Sequence, residues 1–286
     1  MADSAEPPFL RVGPLAPASP VVLSVPHSGA AYSAALLAAA RLPRTRLETL
    51  EDPLVDRLIW RALGSGAVAI VARSPRAEID LNRDERELDP TLIAPTPPPG
   101  RFEPSQRTRG GLGLVPSRIA GAGAIWLNRL PQSELSRRID TVYRPYHHAL
   151  ERALRDARER FGVAVLLDCH SMPPRRAPLD PPVVLGDRHG ASCAPGFAAA
   201  AAAAAEAAGF RTAMNAPYAG GHITCRHGRP GEGIHALQIE VDRGLYLGPD
   251  LRTAGAGFDR AARMLAAVVK ALAAEALDPP AALAAE

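Results

Sequence analysis

Short polar motifs set at the ends of apolar, β-branched runs are the feature that most limits what this chain can fold into. Val21-Val22-Leu23 leads into Val25-Pro26-His27-Ser28-Gly29, and Val163 to Leu167 leads into Asp168-Cys169-His170-Ser171. Leu237 to Val241 contains Gln238-Ile239-Glu240-Val241-Asp242, and Asp80-Leu81-Asn82-Arg83 follows Val68 to Val71 after a polar link. Helical patterns lie between these runs, and strands alternating with helices argue for a three-layer α/β domain. In an open α/β sheet the carboxyl ends of the strands gather at one crevice, where ligands bind. Two histidines, a glutamate and an arginine brought there suit a hydrolytic metal site.

The remaining elements follow from periodicity and punctuation. Pro20 to Val25 and Ala67 to Ala72 read as buried strands, and Val183 to Leu185 as a further one. Helices are expected at 34–40, at 52–63 with Pro53 in the first turn, and at 133–160, where Pro145 kinks or divides the segment. The alanine tract 197–208 is expected to be helical, with Gly209 as its stop, and 258–276 closes the fold as a helix. Residues 84–123 carry many Pro, Gly and Arg and little periodicity, which predicts a loop over the active-site crevice. The whole chain, 1–286, reads as one domain with an N-terminal arm or edge over 1–19 and a flexible tail over 277–286.

Composition removes several classes. Hydrophobic residues make up 47% and charged residues 22%, the balance of a soluble globular protein. No apolar run approaches the ~20 residues that cross a bilayer. Met1 to Pro8 lacks the basic-then-apolar order of a signal peptide, so a cytoplasmic location is expected. The net charge of +3 comes from arginines spread among acids, with Lys270 the only lysine. With aromatics at 5%, neither a basic face nor stacking platforms are available for nucleic acid. Cys169, Cys193 and Cys225 have no zinc-finger spacing and read as inert thiols.

The polar motifs then divide by chemistry. His27 and His170 each stand at a strand end, and Asp168 shares a face with His170 because side chains alternate along a strand. A carboxylate beside a metal-bound histidine fixes its tautomer. Zinc in a hydrolase takes three His, Asp or Glu ligands and keeps a place for water. Asp52 and Asp56, with Glu51 behind them, are the candidate third ligands, although Asp52 also suits a helix cap. Glu240 is an acid in an apolar strand, so it either pairs, for example with Arg243, or acts as a base. Arg76, Asn82 and Arg83 can hold a carboxylate or form salt bridges to Asp80 and Asp84. Gly220-Gly221-His222, followed by Arg226, reads as a tight turn that offers donors to an anion. Cys169 and His170 point to opposite strand faces, which disfavours a thiol hydrolase.

Taken in order, these residues resemble the N-formylglutamate amidohydrolase (deformylase) family. The resemblance rests on 25–29, on Glu51-Asp52 with Val55-Asp56-Arg57-Leu58, and on Ile79-Asp80-Leu81-Asn82-Arg83. It continues through Tyr143-Arg144-Pro145-Tyr146-His147, 167–171, Asn215 to Thr224 and Ala236 to Val241, and so covers about Val21 to Tyr246. It implies a zinc-carboxypeptidase-like (phosphorylase/hydrolase-like) α/β fold, a three-layer sandwich with a mixed, mostly parallel central sheet. It also implies one Zn2+ or another divalent transition metal on His27, Asp52 and His170. Glu240 would be the general base and Arg76 a cation beside the carbonyl, with Asn82, Arg83, Arg226 and His222 binding substrate. One departure stands out: Cys225 occupies the place where the resemblance implies an arginine, Arg226 is one step on, and His222 replaces an aromatic residue. The expected activity is release of formate from N-formyl-L-glutamate or a related N-formyl or N-acyl amino acid, by a monomer or a homodimer. The alternatives are hydrolysis of another N-acyl amino acid or short peptide, and a non-catalytic ligand-binding protein.

Overall fold

The computed structural model describes residues 7–175 and 180–278. Backbone proximity divides the chain into two compact units, and the chain passes repeatedly from one to the other. One unit comprises residues 1–10, 26–51 and 71–149, and the other 11–25, 52–70 and 150–286.

A seven-stranded sheet is built from β1 (Phe9–Val12), β2 (Val21–Val25), β3 (Val68–Ala72), β4 (Ala164–Met172), β5 (Val183–Gly186), β6 (Thr212–Met214) and β7 (Ile234–Asp242). Its order is β1-β3-β2-β4-β7-β5-β6. β2 and β7 run parallel to β4, β6 runs parallel to β5, and β5 is antiparallel to β7, which makes the sheet mixed and mostly parallel as expected. Every residue of β2, β4 and β7 is buried. Each Val or Leu so buried contributes about 1.5–3 kcal/mol, which accounts for the legibility of these runs in the sequence.

The register places the polar residues. Ser24 and Gln238 flank Asp168, and Glu240 lies beside His170. Alternation puts Asp168, His170, Gln238 and Glu240 on one face. β4 continues five residues past Leu167, so His170 lies inside the strand rather than beyond its end. The extension is tolerated because its polar groups bond to one another, as described below. Gly186 of β5 is required by a close approach: a Cβ there would lie 2.6 Å from the Ala219 carbonyl carbon and the Gly220 nitrogen.

Helix α1 (Pro195–Ala207) is the expected alanine segment, and Gly209 (φ +82°) ends it. Helix α2 (His222–His227) forms where a glycine-rich turn was expected, and packs on β4 and β7. Helix α3 (Phe258–Leu277) packs on α1, β4 and β2. The tail expected over 277–286 lies outside the described residues except for its first two. The helix expected over 52–63 is reduced to two single turns, Val55–Leu58 and Trp60–Leu63. Pro53 disfavours helical geometry at Asp52, and Leu54 adopts the left-handed region (φ +59°). Asp52 is therefore not a helix cap.

In the other unit, residues 84–123 contain short pieces only: a 3-10 turn at Pro90–Leu92, a helical turn at Gln106–Arg109 and a small antiparallel pair, Arg118–Ile119 with Gly123–Ala124. The helix expected over 133–160 is divided into Gln132–Arg138 and Arg144–Phe161 by a π-helical turn at Ile139–Tyr143. The wider turn accommodates Pro145, which has no N–H to donate. Among the described residues, no helix is long and apolar enough to cross a membrane.

Candidate active site

Each unit carries a buried polar cluster. The first is centred on Asp80, which is fully buried. Its Oδ1 lies 2.8 Å from His27 Nε2 and accepts the Asn82 backbone N–H at 2.9 Å, while Oδ2 accepts from Arg76 Nε at 2.8 Å. Arg83 Nε stands 3.9 Å from Oδ2. Burial would raise the Asp80 carboxyl, but Arg76, Arg83 and His27 together hold it well below the usual carboxylate range. The turn 26–29 is seated by Gly29, where a Cβ would lie 2.1 Å from the Ser74 carbonyl oxygen.

Within this unit His27, Arg76 and the Asn82 backbone meet at Asp80, with Arg83 beside them, so the salt bridges to Asp80 that the sequence allowed are formed. Arg83 is also anchored to the fold through two of its nitrogens: Nε donates to the Leu112 carbonyl at 2.9 Å and Nη1 to the Asn82 carbonyl at 2.6 Å. Tyr143 Oη in turn donates to the Arg83 carbonyl at 2.7 Å, and His147 Nε2 lies 3.0 Å from the Leu81 carbonyl. These contacts explain why the 143–147 motif accompanies Asp80 to Arg83. Glu51 is engaged by Tyr32, whose hydroxyl donates to it at 2.6 Å.

The second cluster surrounds His170, which is also buried. Its Nε2 lies 2.8 Å from Asp168 Oδ2, and the other Asp168 oxygen accepts from Ser24 Oγ at 2.8 Å. With Nε2 so engaged, Nδ1 faces Asp52 Oδ2 at 3.1 Å. Asp52 Oδ1 accepts from Ser171 Oγ at 3.1 Å and from Arg243 Nη2 at 3.0 Å. Glu240 accepts from Gln238 Nε2 at 2.9 Å. Burial alone would depress the His170 imidazole, but Asp168, Asp52 and Glu240 raise it well above its ordinary value. Asp52 is thus the acid that meets His170, and Asp56 stands apart with a carboxyl raised by burial. Arg243 pairs with Asp52, with Nη2 3.0 Å from Oδ1.

Two further assigned residues, Arg226 and His222, lie on α2. Arg226 reaches Glu151 with Nη2 at 3.0 Å and Nε at 3.3 Å, and His222 opens α2 after Gly220 (φ +117°) and Gly221. His227, on the same helix, is buried and held down to about 3 by that burial and by Arg226, His222 and Arg229. The Cys169 thiol is raised by burial and lies 3.6 Å from the Leu167 carbonyl, an inert arrangement. Sequence reasoning missed Ser24 and Arg243 as partners of the site. Ser24 was legible only as a polar interruption of an apolar strand, and Arg243 only as a cation following Glu240.

Comparison with known proteins identifies the family. A family model described as N-formylglutamate amidohydrolase matches residues 19–247. An N-formylglutamate deformylase of Pseudomonas putida is 33% identical over 240 residues, covering 80% of this chain and 82% of that protein. Its counterpart in Pseudomonas aeruginosa is 31% identical over 237 residues, with the same coverage of both. The crystal structure of N-formylglutamate amidohydrolase from Ralstonia eutropha JMP134 is 35% identical with a TM-score of 0.85, covering 92% of this chain and 95% of the other. The expected resemblance therefore becomes an assignment: the chain belongs to the N-formylglutamate amidohydrolase family.

Proposed function

We propose that this protein is a metal-dependent amidohydrolase that releases formate from N-formyl-L-glutamate. The substrate is carried over from relatives named N-formylglutamate deformylase at 33% and 31% identity. The family match spans segments of both compact units, which supports one working hydrolase domain.

His27, Asp52 and His170 are assigned as the ligands of one divalent ion, zinc in the first instance. All three are buried, and together they form a His/Asp/His group of the kind that holds a metal. The observation that carries the assignment is the orientation of His170. Asp168 takes one ring nitrogen and leaves the other against the Asp52 carboxylate, the arrangement of a carboxylate–histidine–metal triad. Bound there, a divalent ion would supply Lewis-acid chemistry, lowering the pKa of a water to about 7.

The remaining roles belong to side chains. Glu240 takes the proton of the attacking water and delivers it to the departing nitrogen as the C–N bond breaks, yielding formate and the free amino acid. Arg76, already oriented by Asp80, balances the negative charge that develops on the carbonyl oxygen. Asn82 and Arg83 hold the α-carboxylate, while Arg226 and His222 serve the distal carboxylate of the glutamate side chain.

A broader N-acyl amino acid substrate is the second reading, favoured by the engagement of Arg226 with Glu151. Metal content of the purified protein, measured together with formate release from N-formyl-L-glutamate and from N-formyl amino acids lacking a second carboxylate, tests both. The first reading expects stoichiometric metal and a preference for the diacid. Equal turnover of all donors favours the second, and metal-free protein with full activity would end both.

A further inference from the structure

Asp52 is held from two sides. Its Oδ1 accepts from Arg243 Nη2 at 3.0 Å and from Ser171 Oγ at 3.1 Å. Those two donors are themselves joined, because Arg243 Nε donates to Ser171 Oγ at 3.0 Å. The guanidinium, the hydroxyl and one carboxylate oxygen therefore close a ring of three hydrogen bonds. The other oxygen, Oδ2, is turned to His170 Nδ1 at 3.1 Å. Asp52 and Ser171 are buried, and the Arg243 side chain is 15% exposed.

The aim of Arg243 is fixed by its backbone. It begins a 3-10 turn directly after β7, the strand that carries Glu240. Asp242 holds that turn, accepting from the Gly244 N–H at 2.7 Å and the Arg175 N–H at 2.8 Å. Ser171 follows His170 on β4. Both groups that grip Asp52 are thus rigidly tied to strands that carry site residues.

We propose that Arg243, acting through and with Ser171, is a positioning residue that holds Asp52 as a single-oxygen metal ligand. Oδ1 is withdrawn into the ring of hydrogen bonds, and Oδ2 is presented to the ion. The inference rests on the metal reading above and extends it. A carboxylate that shares His170 with Asp168, without this grip, can rotate away or offer both oxygens. A neighbouring guanidinium also repels a cation, so loss of Arg243 for reasons of charge alone would tighten metal binding. Loss of positioning weakens it, and the sign of the effect separates the two.

The test is a competitive chelator titration with Zn2+ on the full chain, with the visible absorption of the Co2+-loaded protein as a second readout. Arg243→Ala is expected to weaken Zn2+ binding by about 10–100-fold, the usual cost of removing a group that orients a ligand. The Co2+ band is expected to lose intensity as a second carboxylate oxygen raises the coordination number. Arg243→Lys, which keeps the charge without the two-pronged geometry, should recover only part of the affinity. Ser171→Ala should shift affinity in the same direction by a smaller factor, and it decides the matter if Arg243→Ala does not fold. Unchanged or tighter Zn2+ binding in both variants, or a raised KM with normal metal affinity, overturns the proposal while leaving the metal reading intact. A parent protein that binds no Zn2+ overturns both.

Discussion

The two buried clusters have opposite electrostatic character. Around Asp80, two guanidiniums, Arg76 and Arg83, face one fully buried carboxylate, with Glu87 3.8 Å from Arg83 at the edge. Around His170, three carboxylates, Asp52, Asp168 and Glu240, face one guanidinium, Arg243. An excess of buried positive charge is stabilised by an anion, and an excess of buried negative charge by a cation. The first cluster thus suits the carboxylate and the developing oxyanion of a substrate, and the second suits a metal ion. Neither composition would be selected for stability alone, since buried charge costs several kcal/mol per ion before it is compensated.

The largest effect expected concerns the acid-rich cluster. Glu240→Gln keeps the hydrogen-bonding shape beside Gln238 but removes the base. It should lower kcat about 10³-fold, within the range for loss of general acid–base catalysis, with metal content unchanged. Single-turnover formate release and metal analysis on the same sample check it. If activity survives, the base lies elsewhere and the division of labour between the clusters is wrong.

A matched pair of substitutions tests the comparison itself. Asp80→Asn removes the fully buried counter-charge of Arg76, leaves Arg83 with Glu87 alone, and should destabilise the protein by about 3 kcal/mol. Asp168→Asn removes one of three like charges and still leaves His170 beside Asp52 and Glu240, so the metal-free protein should lose less. Its metal affinity should fall about 10–100-fold, because His170 loses the group that fixes its tautomer. Urea unfolding of the metal-free proteins and metal titration read the two quantities separately. Equal destabilisation by both substitutions would show that the clusters do not differ as their charges indicate.

Much of this arrangement was legible in the sequence where the signal was local. The apolar runs of β2 and β7 announce strands, and alternation alone puts Asp168 and His170 on one face. What escaped was non-local. Ser24 bonds Asp168 from 144 positions away, so the polar half of β4 could not be recognised as strand from its own residues. Arg243 meets Asp52 across 191 positions, whereas its sequence neighbour Glu240 was the obvious partner. The segment after Asp52 has helical composition, yet the left-handed backbone at Leu54 delays its start and Ile59 divides it into two turns, and neither residue type advertises this. At 222–227 two glycines before a polar run read as a turn, although the run itself has enough side-chain contact with β4 and β7 to be helical.

A charge group in neither cluster provides the baseline for these effects. Glu134 accepts from Arg137 Nε at 2.7 Å and from Arg138 Nε at 2.8 Å, and the Arg137 hydrogen bond, opposed by burial and reinforced by Arg138, lowers its carboxyl to about 2. A carboxyl lowered in the folded state contributes stability that is fully present above its unfolded value, near 4.5, and is lost as pH falls through about 2. Glu134→Gln should therefore destabilise the protein at pH 7 by about 1 kcal/mol or less, since the group is partly exposed and screened. The difference between variant and parent should shrink as pH falls from 4.5 towards 2. Thermal melts across that window check it. A gap that stays constant with pH would mean that Glu134 acts through packing, and that surface charge in this chain is a poor reference for the charge effects assigned to the two buried clusters.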